Sequence, residues 1–193
     1  MASVTAPPPA RPVLGSSPRL ERLKALPRKP GQASFFFFDA HFRSEAVKVL
    51  PGEYFVFDED ILIMTTLGSC IAACLWDRER RIGGMNHFML PEGTGDSGRY
   101  GSYAMELLIN ELQKRGASRM TMEAKIFGGG AVISGMNSIN VGERNIEQGW
   151  TLIDQYGFNL ENVDVGDHVP RNVSMTFPDG KVEMRRGKSM KMR

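Results

Sequence analysis

The sequence predicts a single mixed α/β domain, and three observations carry that reading. From Val47 onward, short apolar runs rich in β-forming residues alternate with turn residues. Two longer stretches instead space their apolar residues three and four apart, as on one helix face, and each ends at a glycine. The last two β-like runs flank Pro178, Asp179 and Gly180, a triplet that reads as a hairpin turn. Strands and helices in this order suit a mixed sheet system rather than a doubly wound repeat.

The expected strands cover residues 53–57, 61–67, 71–76, 82–90 and 120–126, followed by 159–165, 172–177 and 181–184. The first helix is expected over residues 102–115, with Tyr103, Leu107, Leu108 and Leu112 on its apolar face. Glu106, Asn110, Glu111 and Lys114 fall on its polar face, and Gly116 ends it. The second is expected over residues 143–156, with Ile146, Trp150 and Ile153 inward and Gly157 as terminator. Glu143 near its start suits the positive end of the helix dipole.

With 193 residues and 41% hydrophobic residues, the chain can fill one core. Residues 1–44 are rich in proline and basic residues and are expected to form a disordered extension. The domain proper is expected over 45–185, with a basic tail over 186–193. Phe35 to Phe38 interrupt the extension; such a cluster either docks on the domain edge or anchors a partner.

The net charge is +2, and much of the basic excess lies at the two ends, so the body is a poor nucleic-acid binder. No run of about 20 apolar residues offers a membrane span. Prolines from Pro7 to Pro30 interrupt any apolar signal segment, and the expected location is the cytoplasm. Cys70 and Cys74 are the two thiols; in one strand they stand about 13 Å apart, beyond disulfide reach.

Leu67, Gly68, Ser69 and Cys70 join two apolar runs through small residues. Such a turn can expose a nucleophile beside main-chain N–H groups. A thiol needs a base, and the histidines are His41, His87 and His168. His87 lies in the run 83–90, close enough in sequence for its strand to neighbour the one after Cys70. By themselves these residues also fit plain core packing, and Cys74 keeps that reading. A metal held by Cys70, Cys74 and His87 lacks the second close ligand pair usual for zinc. Gly128, Gly129 and Gly130 lack the Lys-Ser or Lys-Thr of a phosphate loop, so they read as a turn or a substrate-facing loop.

Taken together, LGSCIAACLWD over 67–77, GGMNHFMLP over 83–91, Tyr100 with its following helix, EAKIFGGG over 123–130 and NVGERN over 140–145 resemble the CheD chemoreceptor glutamine deamidases. The resemblance spans residues 47–185. It implies a compact α/β sandwich with the catalytic arrangement of thiol deamidases such as the cytotoxic necrotizing factors. It implies Cys70 and His87 as the catalytic pair, with a threonine shortly before the cysteine, Thr65 or alternatively Thr66, as third member. Ser69, Gly128 and Gly129 are the expected substrate-binding positions. The implied substrates are glutamines on the cytoplasmic helices of chemoreceptors, the implied regulator is a CheC-type phosphatase, and no cofactor is required.

Overall fold

The computed structural model describes residues 17–89, 97–132 and 136–188. Its helices are α1 (Pro18–Ala25), α2 (Gly101–Lys114) and α3 (Met136–Tyr156), with a short 3-10 turn at Arg119–Thr121. Its strands are β1 (Phe35–Asp39), β2 (Ser44–Lys48), β3 (Tyr54–Phe57), β4 (Leu62–Leu67) and β5 (Ile71–Asp77). They continue with β6 (Ile82–Asn86), β7 (Met122–Gly128), β8 (Asn159–Val165), β9 (Arg171–Met175) and β10 (Val182–Arg186).

The strands form two five-stranded sheets, one ordered β3-β6-β5-β7-β8 and the other β1-β2-β4-β9-β10. Both are mixed: β7 pairs parallel with β8, and β2 pairs parallel with β4. The first sheet is the middle layer of three. Along β5, Ile71, Ala73 and Leu75 pack with Leu108, Leu112, Leu152 and Ile153 of α2 and α3. Ala72, Cys74 and Trp76 point the other way, into a core shared with Ile63, Leu67, Val173 and Met175 of the second sheet. With both faces covered, β5 is buried along its whole length, which explains its unbroken apolar sequence. The predicted mixed α/β sandwich is therefore the architecture found.

Four local readings differ. Residues 17–44 are not an unstructured extension: Ser17 caps α1 by accepting from the Leu20 N–H at 3.0 Å, and Leu20 and Leu23 are buried. Phe35 to Phe38 lie in β1, the edge strand beside β2; Phe36 packs edge-on to Phe55, while Phe35 and Phe38 stay exposed. Residues 1–16 and 189–193, and with them part of the expected extension and tail, lie outside the described residues.

The buried stripe of α2 is Ala104, Met105, Leu108, Ile109 and Leu112, with Tyr103 and Leu107 at its margin. Small residues let the helix sit close: a side chain at Gly101 would meet Phe88 and Gln148 at about 3 Å. Glu111, expected on the polar face, is almost buried and bonds to Lys29 at 2.7 Å and Lys114 at 2.8 Å. Finally, α3 begins before residue 143 and turns Trp150 outward; Gly142, Asn145, Gly149, Leu152 and Ile153 face inward.

Candidate active site

The turn of Gly68, Ser69 and Cys70 links β4 in one sheet to β5 in the other, so it sits where the two layers meet. The glycine segment that follows β7 supports it from behind. The Gly129 N–H donates to the Cys70 carbonyl, and the Gly130 N–H to the Gly68 carbonyl, each at 2.9 Å. Gly128 has φ +114, and a Cβ there would collide with the Cys70 carbonyl oxygen. Gly128 and Gly129 are buried, whereas Ser69 and Cys70 are partly exposed. The glycines thus form a floor beneath the turn.

His87 follows β6. Its N–H donates to the Glu53 carbonyl at 3.1 Å, and its own carbonyl accepts from the Gly52 N–H at 2.8 Å. The next residue, Phe88, exchanges two main-chain hydrogen bonds with Ile71, each 2.9 Å. In this antiparallel register, Cys70 and His87 lie on the same face as diagonal neighbours, about 7–8 Å apart at their backbones. No hydrogen bond joins the thiol to the imidazole in this arrangement: among the described residues, His87 Nε2 has no partner. The face they share looks onto the second sheet, where Thr65 of β4 points inward.

Thr65 Oγ1 lies 2.8 Å from His87 Nδ1 and donates its one proton to the Val49 carbonyl at 2.7 Å. Because that proton is committed, the hydroxyl must accept from the imidazole, so Nδ1 carries the ring hydrogen and Nε2 presents its lone pair. Nε2 is buried, with no hydrogen-bond partner among the described residues. Thr66 points the other way, exposed, and donates to Asn172 Oδ1 at 2.8 Å. Of the two candidate threonines, Thr65 is the one against His87.

Burial sets the charge state of the pair. It pushes the Cys70 thiol up to about 11. It pushes His87 down to about 4, although the hydrogen bond to the Val49 carbonyl works in the opposite direction. At neutral pH the resting site therefore holds a thiol and a neutral imidazole, so the thiol must lose its proton to His87 as it reacts. Cys74, fully enclosed, is pushed up to about 12 by the same cause.

Two further residues hold the site. Arg171 is fully buried; it bonds to Asp164 at 2.8 Å and donates to the carbonyls of Gly166 and Val169, next to the glycine floor. Asn145 of α3 donates through Nδ2 to the Ser69 carbonyl at 3.0 Å and the Met89 carbonyl at 3.3 Å. Neither stands out among candidate catalytic residues in the sequence. For Asn145 the available signal was its place at the end of the NVGERN run over 140–145; Arg171, at the start of β9, offered none. His41 and His168 are exposed and stand apart from this cluster, near Arg185 and the Ala131 carbonyl respectively.

A family model described as CheD chemotactic sensory transduction matches residues 89–186. The chain is 55% identical over 174 residues to a probable chemoreceptor glutamine deamidase CheD 1 of Albidiferax ferrireducens, covering 89% of this chain and 74% of that one. It is 50% identical to a probable chemoreceptor glutamine deamidase CheD of Bordetella petrii, covering 82% and 74%. A similarly named Janthinobacterium protein is 48% identical, covering 78% and 77%. Among solved structures, the Bacillus licheniformis hypothetical protein YfiH superposes with a TM-score of 0.40 at 12% identity, covering 57% of this chain and 49% of that one. That overlap is too slight to argue from.

Proposed function

Because the chain belongs to the CheD family of chemotactic sensory transduction proteins, we propose that it hydrolyses glutamine side chains of chemoreceptors to glutamate through a thioester on Cys70. The observation that carries this reading is the Thr65–His87 hydrogen bond, which leaves a bare Nε2 on the face shared with Cys70. The names of the relatives supply the substrate class.

In the proposed reaction, His87 Nε2 takes the thiol proton as the Cys70 sulfur attacks the carboxamide carbon. The carbonyl π electrons move to oxygen, giving a tetrahedral oxyanion. The N–H groups of Ser69 and Cys70 in the turn are the proposed donors to it. Collapse breaks the C–N bond, and the His87 imidazolium delivers its proton to the departing nitrogen, releasing ammonia. Water then attacks the thioester while Nε2 accepts its proton, the C–S bond breaks, and the proton returns to sulfur as glutamate leaves. Thr65 holds the ring plane and its tautomer through both halves. No cofactor enters any step. Ser69 contacts the substrate beside the thiol, and Gly128 and Gly129 shape the site from beneath.

The proposed partners are the cytoplasmic helices of chemoreceptors and a CheC-type phosphatase, which would place the protein in the cytoplasm. No helix among the described residues is long and apolar enough to cross a membrane.

The deciding experiment incubates the purified chain with a recombinant chemoreceptor cytoplasmic fragment. Ammonia release and glutamine-to-glutamate conversion, mapped by peptide mass spectrometry, are the readouts. Conversion at discrete sites is the expected result. Unchanged receptor fragments that nonetheless bind the chain would replace this reading with a non-catalytic docking role.

Thr65 offers a separate check. Thr65→Val should lower kcat about tenfold through loss of the hydrogen bond that orients His87. Thr66→Val, changed on the outer face, should stay within about twofold of the parent, a negligible free-energy difference. Steady-state kinetics on the receptor fragment compare the two.

A further inference from the structure

Asn145 is a buried polar residue on a stripe of α3 otherwise made of glycine and apolar residues. Its Nδ2 reaches two main-chain carbonyls from different segments. Ser69 immediately precedes the thiol residue, and Met89 lies two residues beyond the imidazole. The opposite amide orientation would set Oδ1 against both carbonyl oxygens, so the hydrogen-bond pattern fixes which atom is the donor. Oδ1 is itself buried, with no partner among the described residues. Leaving an acceptor unpaired is costly, and here it accompanies a two-armed contact on the segments that carry Cys70 and His87.

The helix is brought close enough for this contact by glycine. A side chain at Gly142, one turn before Asn145, would come within 2.7 Å of the Gly129 carbonyl oxygen, and one at Gly129 would run into Ile146. The α3 backbone therefore rests on the same glycine floor that bonds to the Cys70 and Gly68 carbonyls.

We propose that Asn145 is a positioning residue: by tying the Ser69 carbonyl to the Met89 carbonyl, it sets the distance between the Cys70 sulfur and His87 Nε2. The proposal rests on the thiol–imidazole reading of the site. It differs from a plain packing role because it predicts an effect on proton transfer in a folded protein. A displacement of about 1 Å between reacting groups can cost about a hundredfold in rate.

The test uses the full chain with Asn145→Ala and the near-isosteric Asn145→Asp, which replaces the donor by an oxygen. Three quantities are measured: thermal unfolding, kcat and KM on the receptor fragment, and the pH dependence of Cys70 alkylation by iodoacetamide without receptor. For at least one folded variant, kcat should fall between about 10- and 100-fold, with KM within about twofold. The midpoint of the alkylation curve should shift as the thiol loses its base. A folded Asn145→Ala protein with the parental alkylation curve overturns the proposal, whatever its kcat. Failure of both variants to fold overturns it too, since the residue would then be structural support. If the parent chain does not deamidate receptors yet the variants shift the alkylation curve, the positioning role stands and the deamidase reading falls.

Discussion

Cys70→Ala is expected to lower receptor deamidation by about three orders of magnitude or more, the scale seen when a covalent nucleophile is removed. Cys74→Ala, by contrast, should leave kcat close to the parent. The contrast follows from position along β5. Cys70 ends the turn between the layers, is partly exposed, and shares a face with His87 in the Ile71–Phe88 register. Cys74 is two strand periods further along, beside its cross-strand partner Met85 and facing the second sheet, with its thiol pushed up to about 12 by burial. Its replacement should cost about 1 kcal/mol of stability, as an ordinary core change does. Mass spectrometry of the receptor fragment gives the activity, and denaturant unfolding gives the stability. Activity surviving in Cys70→Ala would remove the thioester from the mechanism.

His87→Gln should lower kcat by about 10²- to 10⁴-fold, since general acid–base transfer at both halves of the reaction passes through Nε2. The same substitution carries a second signature. The folded protein holds His87 near 4 instead of the ordinary 6.5, because burial disfavours the imidazolium. The unfolded chain therefore binds this proton more readily. Stability from this group is complete above about pH 6.5, falls as the pH drops toward 4, and changes no further below that. The full difference is about 3 kcal/mol. His87→Gln should flatten that part of the pH–stability curve, most cleanly between about pH 6.5 and 5, before the carboxylates titrate. Urea unfolding of the two proteins across this range makes the comparison, and parallel curves would show that His87 is protonated as easily in the fold as outside it.

Much of the site was legible in residue order. The small-residue turn before an apolar run, and a histidine on a nearby strand-like run, made Cys70 and His87 candidates; residue order alone fitted core packing as well, and the resemblance to the CheD family chose between the two readings. The choice between Thr65 and Thr66 was not legible, because adjacent strand residues face opposite ways. Which one looks inward depends on how β4 registers with β9, a pairing the local sequence does not encode. Asn145 lay inside the NVGERN run, but its contacts were hidden for a related reason: its two acceptors are main-chain carbonyls, which every residue possesses. The fold shows the same division. β5 announced itself through its unbroken apolar content, whereas α1 has just two buried leucines and a serine cap, and β1 owes its place to pairing with β2. Such elements are decided by what they dock against, and local composition alone read them as unstructured.

The order of strands in the second sheet bears on how the chain reaches its folded state. That sheet draws β1 and β2 from one end of the chain, β4 from the middle, and β9 and β10 from the other end. Thr65 is flanked by a parallel neighbour formed earlier in the sequence and by Val173 of β9, contributed late. Closing so large a loop before any pairing reward is collected makes for a slow nucleation step. In a chain emerging from the ribosome, the first sheet could gather β3, β6, β5 and β7 while β4 still presented an open edge. The sheet that carries Thr65 is thus complete only when the last strands of the chain have joined it.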